Sequence, residues 1–263
     1  MLLVVDVGNT NIVLGLYDDK ILIKSWRMAT GENRTSDEMG LFIYSLFSHS
    51  GIAVDTVRNI IISSVVPNIM YSLINGFRKY FDAIPMIVSK NLKLGISLNA
   101  VGERELGADR IVNCVAAYKL FGGPAIVIDY GTATTYDAIT RDGGFLTGIT
   151  APGIKISADA LFTKAALLGK VELQLPTSLL VNSTTESIQA GILYGRIGET
   201  EYIVNRLRQE MGEPNALVVA TGGLASSIAL GTKIFDHIEP ALTLEGLRLI
   251  HEMNSETNSD NSI

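Results

Sequence analysis

An uninterrupted apolar run near the start of the chain ends in an aspartate and a glycine turn. Residues 2–5 are all leucine or valine, without polar alternation, which is typical of a strand covered on both faces of an α/β sheet. Asp6 follows at the carboxyl end of this strand. Gly8 is expected to adopt backbone torsions that a residue with a Cβ would resist. The pattern predicts a central strand that delivers a carboxylate to an exposed turn.

The residues after Gly8 are suited to binding a phosphate group. Asn9, Thr10 and Asn11 offer amide and hydroxyl groups close to backbone N–H groups. The carboxylate of Asp6 suits the Mg²⁺ that accompanies a nucleotide phosphate. Because an ordinary β-turn with a solvated aspartate has the same short pattern, this segment alone leaves the function open.

The opening pattern returns in the second half of the chain. Residues 125–128 are again apolar and lead into Asp129, Gly131 and Thr132, with the aspartate and glycine at the same spacing. A duplicated fold is the simplest explanation. The glycines and proline of residues 122–124 give the best break, so the sequence predicts two α/β halves, residues 1–121 and 122–253. The polar residues 254–263 are expected to form a disordered tail.

Apolar periodicity predicts the other elements of each half. Strands are expected at residues 13–17, 20–27, 59–66, 86–88, 134–140, 144–149 and 216–220, and helices at residues 35–48, 68–81, 111–121, 154–168 and 185–212. Thr35 or Ser36 is the expected N-cap of the first helix.

A third loop, Thr221-Gly222-Gly223, follows the last predicted strand. Ligands bind outside the carboxyl ends of strands in open α/β sheets, so the three loops are expected to bind one ligand together. Two phosphate-binding turns and a glycine turn for a nucleoside resemble the actin, Hsp70 and sugar-kinase ATPases. The predicted fold is therefore α/β, with two duplicated halves of the ribonuclease H-like, actin-like ATPase kind, each a mixed sheet flanked by helices.

The segment Gly107-Ala108-Asp109-Arg110 precedes a predicted helix. An aspartate at a helix start beside a surface arginine is common. Alternatively, the carboxylate could accept the proton of an alcohol during phosphoryl transfer, while the arginine binds a carboxylate of the substrate. The position of the segment, at the junction of two halves with phosphate-binding loops, favours the second interpretation.

Composition excludes several classes of protein. The chain has 21 basic and 27 acidic residues and a net charge of −6, which argues against a general nucleic-acid binder. Its one cysteine, Cys114, rules out an internal disulfide framework and a multi-cysteine metal site. No secretory signal is expected, because the apolar residues follow Met1 without a basic segment and position 6 is an aspartate. No membrane span is expected, because no apolar run approaches ~20 residues. A cytoplasmic protein without a membrane partner is predicted.

Seven short motifs resemble, in the same order, those of the type III pantothenate kinases, which catalyse the first step of coenzyme A biosynthesis. The resemblance extends from residue 1 to about residue 250. The matching motifs are DVGNTN (6–11), SSVVP (63–67), GADR (107–110), DYGTATT (129–135), PG (152–153), ST (183–184) and TGG (221–223).

The resemblance implies the reaction and its cofactors. The family transfers the γ-phosphoryl group of ATP to the primary hydroxyl of pantothenate, uses Mg²⁺ and a monovalent cation such as K⁺ or NH₄⁺, and works as a homodimer. By motif, Asp109 would be the proton acceptor, Asp129 would bind the monovalent cation, and Asp6 would lie near Mg²⁺.

The resemblance also implies the residues that bind the two substrates. ATP would be bound by Asp6, Val7, Gly8, Asn9, Thr10, Asn11, Ile12, Val13, Thr132, Gly222 and Gly223, with the last two beside the nucleoside. Pantothenate would be bound by Gly107, Ala108, Asp109, Arg110 and Thr184.

The chain departs from the family pattern in one place. Many members have a Tyr-x-x-Pro segment where this chain has Ala100 and Glu103, so the wall of the pantothenate pocket is expected to differ.

Two other functions stay open. The first is another enzyme of the same fold, either a kinase that acts on a different small alcohol or a hydrolase that acts on polyphosphate. The second is a nucleotide-sensing regulator without turnover. The presence of Asp6, Asp109, Arg110 and Asp129 disfavours this alternative, because a protein that only binds nucleotide needs no aspartate opposite the phosphates.

Overall fold

The structure, a computed structural model, describes residues 1–31, 34–99, 106–164 and 169–255. The first half of the chain forms β1 (Leu2–Val7), β2 (Asn11–Asp18), β3 (Ile21–Ala29), α1 (Ser36–His49), a 3₁₀ turn (Val54–Thr56), β4 (Asn59–Ser64), α2 (Pro67–Phe81), β5 (Met86–Ile87) and α3 (Ala108–Phe121). The second half forms β6 (Ala125–Tyr130), β7 (Ala133–Ile139), β8 (Phe145–Pro152), α4 (Ile154–Lys164), α5 (Thr184–Met211), β9 (Leu217–Thr221), α6 (Ala225–Ala229), β10 (His237–Ile238) and α7 (Leu242–Ser255).

The two sheets have the same topology. Their strand orders are β3-β2-β1-β4-β5 and β8-β7-β6-β9-β10. Strand β1 is antiparallel to β2 and parallel to β4, and β6 is likewise antiparallel to β7 and parallel to β9. The prediction of two related α/β halves, each a mixed sheet flanked by helices, is confirmed.

The described residues form two compact units. The first contains those within Met1–Gly95, Glu103–Ala116 and Leu242–Ile263, and the second those within Ile96–Gly102 and Ala117–Ala241. The division passes through α3, and the C-terminal helix α7 belongs to the first unit. A single boundary after residue 121 does not describe this arrangement, because α7 packs against β1, β2 and β4.

Strand β1 is buried on both faces, as its apolar run predicts. Leu3, Val5 and Val7 pack with residues of α1 and α2 in the core of the first unit. The alternate residue Val4 points the other way, toward α7. Side chains alternate along a strand, so Asp6 lies on the face that α7 covers.

Helix ends follow the local sequence signals. Thr35 is the N-cap of α1, and its side chain and that of Glu38 form a reciprocal capping box. Helix α3 ends before Gly122, which has a φ of +82° and donates its N–H to the carbonyl oxygen of Tyr118 at 2.9 Å. Helix α4 is described to Lys164, and residues 165–168 of the predicted helix lie outside the described residues.

Asn254 and Ser255 belong to α7, although the sequence assigns them to the tail. The side chain of Asn254 accepts from the N–H of Lys93 and donates to its carbonyl oxygen, both at 2.9 Å. These bonds hold the end of the helix in place. Residues 256–263 of the expected tail lie outside the described residues. Within the described part of the chain, no helix has the length and apolar character needed to cross a membrane.

Helix α7 lies close to α3 within the first unit. A β-carbon at Gly246 would overlap the carbonyl oxygen of Val112 and lie 2.7 Å from its Cγ1. Beside this contact, the hydroxyl of Thr243 donates to Oδ1 of Asn113 at 2.7 Å. The approach of the two helices therefore depends on the glycine.

Replacing Gly246 by alanine is expected to lower the free energy of unfolding by about 1–3 kcal/mol, because overpacking forces the two helices apart. Urea unfolding followed by circular dichroism measures the change. Gly198→Ala in α5 is the matched control, since no described atom lies within 4 Å of a β-carbon there. This control should raise the free energy of unfolding by about 0.5–1 kcal/mol through helix propensity alone. Equal effects of the two substitutions would contradict the close contact of α7 with α3.

Candidate functional site

The first turn, residues 8–10, links β1 to β2. The N–H of Gly8 donates to the carbonyl oxygen of Asn11 at 3.0 Å. Thr30, which is buried just beyond β3, donates its N–H to the carbonyl oxygen of Thr10 at 3.1 Å and its hydroxyl to that of Gly8 at 2.6 Å. The turn is held by its own backbone and by this threonine. No local motif in the sequence indicates the role of Thr30, because it lies about 20 residues from the turn, just beyond the end of β3.

The expectation that Gly8 needs unusual backbone torsions is wrong. Its φ lies outside the left-handed region. A β-carbon at Gly8 would instead lie 3.2 Å from the carbonyl oxygen of Asn11. The closeness of the two strands across the turn is what favours glycine at this position.

Asp6 lies beside Ser63 at the carboxyl ends of two parallel strands, β1 and β4. Ser63 is 0% exposed, and no hydrogen-bond partner for its Oγ is found among the described residues. Side-chain alternation places both residues on the α7 face of the sheet. Carboxylate and hydroxyl oxygens are hard donors of the kind that Mg²⁺ prefers, so the residues here fit a magnesium ion.

The start of α3 lies at the same edge of the first sheet. A β-carbon at Gly107 would lie 3.4 Å from Cγ1 of Val65, the residue directly after β4. Val65 in turn donates its N–H to the carbonyl oxygen of Val7 at 3.1 Å. The segment of residues 107–110 therefore begins next to the strand ends that carry Asp6.

Asp109 occupies the first turn of α3 and is half-buried. Its Oδ1 accepts the N–H of Arg110 at 2.8 Å and would lie 2.5 Å from a β-carbon at Gly107. A larger residue at 107 would thus displace the carboxylate. Ala100 and Glu103, where the chain departs from the family pattern, lie outside the described residues.

The second turn, Gly131 and Thr132, links β6 to β7 in the second unit. Asp129 precedes it and lies beside Thr221 of the parallel strand β9. This position matches that of Asp6, which lies beside the equivalent parallel strand of the first sheet. The two aspartates are therefore equivalent in structure as well as in sequence.

Two further glycines close on the second turn. Gly222 has a φ of +91°, and a β-carbon there would lie 2.5 Å from Oδ1 of Asp129 and 2.7 Å from the backbone of Tyr130. Only glycine combines this torsion with so close an approach. Gly153 faces the carbonyl oxygens of Gly131 and Thr132, which a β-carbon would overlap. Around Gly223, in contrast, no described atom lies within 4 Å of a β-carbon.

The carboxylate of Asp129 and the carbonyl oxygen of Ala133 lie near one another at the second turn, since each is 3.5 Å from the position of a β-carbon at Gly131. Such oxygens suit a hard cation, so this end of the second sheet fits a monovalent cation. Among the described residues no group of three or more His, Cys, Asp or Glu side chains is placed to hold a metal. Any cation beside Asp6 or Asp129 would therefore take other oxygens, such as those of hydroxyls, the backbone or a bound phosphate.

A polar network lies beneath the second turn, on the α5 side of the sheet. The hydroxyl of Thr200 is 2.8 Å from the hydroxyl of Tyr130 and 3.1 Å from that of Tyr136. Burial raises the pKa of both tyrosines, so both hydroxyls stay protonated. Nearby, Arg196 donates from Nη2 to the carbonyl oxygen of Pro152 at 2.5 Å.

The sequence does contain a signal for this network. Arg196 and Thr200 fall on the buried stripe of α5, between the apolar residues Leu193 and Val204. A charged residue on an apolar stripe is rarely buried without a specific partner.

Thr184 is the first residue of α5 and lines an open groove of about 700 Å³. Ser183 caps the helix by accepting the N–H of Glu186. The groove lies wholly within the second unit. Its lining consists of Leu161, Val181, Asn182, Ser183, Thr184, Ser187, Ile188, Gly191 and Ile192.

The predicted site residues divide between the two units. The first unit holds residues 6–13 and 107–110, which meet at the carboxyl edge of one sheet. The second unit holds Asp129, Thr132 and the glycines at 222 and 223, which meet at the same edge of the other sheet, and it also holds Thr184.

Solved structures share the fold over almost the whole chain. A Campylobacter jejuni protein provisionally described as a Baf family transcriptional activator has a TM-score of 0.58 and 17% identity, covering 97% of this chain and 99% of its own. A Sinorhizobium meliloti protein provisionally described as a 2-dehydro-3-deoxygalactonokinase has a TM-score of 0.55 and 12% identity, with 96% of each chain covered. Component A of (R)-2-hydroxyglutaryl-CoA dehydratase from Acidaminococcus fermentans has a TM-score of 0.53 and 15% identity, with 98% of each covered. At these identities the likeness establishes the fold alone.

The sequence itself matches a family. The sequence model of the type III pantothenate kinases matches residues 2–206, which is more than half of the chain and includes both turns, residues 107–110 and Thr184. The chain therefore belongs to the type III pantothenate kinase family.

Proposed function

We propose that this protein transfers the γ-phosphoryl group of ATP to the primary hydroxyl of (R)-pantothenate, giving 4′-phosphopantothenate in the first step of coenzyme A biosynthesis. The observation that carries the proposal is that the two aspartate turns of the family lie at equivalent strand ends of two equivalent sheets. A kinase needs positioned groups for the phosphates and for the nucleophile, and little covalent chemistry.

ATP is bound by the two turns in this proposal. Residues 6–13 hold phosphate oxygens through the N–H and side-chain groups of the first turn, and Thr132 does so in the second. Gly223 offers an open backbone surface and Gly222 a fixed bend, and both lie beside the nucleoside. Backbone N–H groups in such turns bind phosphates without side-chain reorganisation.

Asp109 is the proton acceptor. The hydroxyl oxygen of pantothenate forms a bond to the γ-phosphorus, and the bond between that phosphorus and the β,γ-bridging oxygen breaks to release ADP. The hydroxyl proton passes to the carboxylate of Asp109, which an ionised aspartate accepts as the new bond forms. The half-buried carboxylate in the first turn of α3 is fixed by the N–H of Arg110.

Pantothenate is bound by residues 107–110 and by Thr184. The guanidinium of Arg110 suits the carboxylate of pantothenate because it donates two parallel hydrogen bonds. Thr184 lies at the N-terminal end of α5, where the helix dipole favours an anion.

Two cations complete the proposed site. Asp6 and Ser63 would hold Mg²⁺, and Asp129 would hold K⁺ or NH₄⁺. When bound, these cations offset the negative charge of the phosphates. We further propose that the protein is cytoplasmic and works as a homodimer.

A coupled assay of ADP release tests the function. ADP release should depend on pantothenate and should not be supported by glycerol or sugars. ADP release with one of those alcohols instead would identify a different kinase. Phosphate release from ATP or polyphosphate without an alcohol would identify a hydrolase. Nucleotide binding without turnover would favour the regulator.

Replacing Asp109 by asparagine is expected to lower kcat by about 100-fold or more, because the amide cannot accept the proton. The KM for ATP should stay close to that of the wild type. Asp55→Asn is the matched control, since Asp55 is an exposed aspartate in the first turn of the 3₁₀ segment of the same unit. A folded Asp109→Asn variant with a near-normal kcat would refute the assignment of the base.

Replacing K⁺ and NH₄⁺ by Na⁺ at constant ionic strength should reduce the rate by about tenfold or more, because the phosphate charge is no longer offset. Asp129→Asn should remove the activation by K⁺ and leave a rate that no longer depends on the monovalent cation. A wild-type rate that is insensitive to these ions would contradict the role of Asp129.

A further inference from the structure

Helix α5 contacts residues next to the second turn at two points. The hydroxyl of Thr200 bonds that of Tyr130, the residue directly before Gly131. Arg196 bonds the carbonyl oxygen of Pro152 at 2.5 Å. Both contacts come from one face of the helix, about one turn apart.

The side chain of Arg196 is buried, and its guanidinium bonds both Glu199 and Pro152. Its side chain is 6% exposed, and its Nη1 forms an ion pair with Oε1 of Glu199, which is 37% exposed. The same carboxylate oxygen accepts the hydroxyl of Tyr136 at 3.2 Å. The guanidinium is thus held between a carboxylate on its own helix and a backbone carbonyl at the end of β8.

The Pro152 carbonyl that Arg196 bonds directly precedes Gly153, which contacts the second turn. Pro152 is followed by Gly153, which lies so close to the second turn that a β-carbon there would overlap the carbonyl oxygen of Thr132 and lie 2.8 Å from that of Gly131. Gly153 also accepts the N–H of Ser157 at 2.9 Å, in the first turn of α4. Movement of the Pro152 carbonyl would therefore carry Gly153 away from the turn or force the turn to follow.

We propose that Arg196 is a positioning residue for the second turn. Through Pro152 and Gly153 it fixes the backbone of Thr132 in the conformation that binds the phosphates of a nucleoside triphosphate. The inference rests on the proposed function for the contact of Thr132 with ATP. It predicts an effect on the nucleotide and not on the alcohol substrate, because Arg196 lies three helical turns from Thr184.

The test compares two arginines of the same helix. Arg196→Met removes the guanidinium and retains an apolar side chain of similar length. Arg206→Met is the control, since the side chain of Arg206 is 58% exposed and forms its ion pair with Glu210 on the same helix. Calorimetric titration with a non-hydrolysable ATP analogue measures binding directly, and steady-state kinetics give both KM values.

Arg196→Met should weaken analogue binding and raise the KM for ATP by about tenfold, because small displacements of a binding group are costly. The KM for pantothenate should stay within about twofold of the wild-type value, and Arg206→Met should match the wild type in every measurement. A folded Arg196→Met variant that binds the analogue like the wild type would overturn the proposal. So would equal increases in both KM values, which indicate general loosening.

If Arg196→Met does not fold, binding of the ATP analogue by Arg196→Lys tests the proposal instead. Lysine keeps the buried charge, but its single ammonium lacks the planar fork that reaches two acceptors. Analogue binding about threefold weaker than that of the wild type would support the proposal, and unchanged binding would overturn it. A wild-type protein that binds the analogue but does not phosphorylate pantothenate would refute the proposed function and leave the test of Arg196 intact.

Discussion

Parallel pairing of β1 with β4, and of β6 with β9, is the constraint on which the candidate site depends. Parallel strands end at the same edge of a sheet, so the aspartate near the end of β1 or β6 lies close to the loop that follows the parallel neighbour. In the first unit this loop carries Val65, on which Gly107 packs. In the second unit it carries Gly222, which closes on Asp129. The two sheets thus have the same topology, but the loops at their carboxyl edges make different contacts.

The sequence predicts the central strands and the duplication because their signals are local. An apolar run without alternation, followed by an aspartate and a glycine turn, is a property of a few consecutive residues. Thr35 and Glu38 cap α1 through a pattern of four residues, and Gly122 ends α3 through its own torsion. In these elements neighbours along the chain determine the structure, and sequence and structure agree.

Contacts between residues far apart in the chain cannot be predicted from local sequence patterns. Helix α7 belongs to the first unit, although it follows the whole second half in sequence. Its partners on α3 and β1 lie more than 100 residues earlier in the chain, so no local pattern indicates this packing. Thr30 holds the first turn from just beyond the end of β3. Gly8 is a local case, because its constraint is the carbonyl oxygen of Asn11 three residues later and not its own torsion. For the candidate site, the sequence identifies the residue types and their order, whereas the packing that fixes them requires the fold.

Burial of the Arg196 guanidinium in the second unit is costly, and a contribution to stability alone does not explain its presence. Taking a guanidinium and a carboxylate out of water is unfavourable, and apolar residues of similar volume are often as stable or more stable at such positions. Arg196 reaches a backbone carbonyl that no apolar side chain could hold, and that carbonyl lies next to the glycine packed on Thr132. The cost is offset only in part by the ion pair with Glu199, because the carboxylate keeps contact with water. What the arginine provides in addition is a fixed position for the Pro152 carbonyl, and through it a fixed second turn.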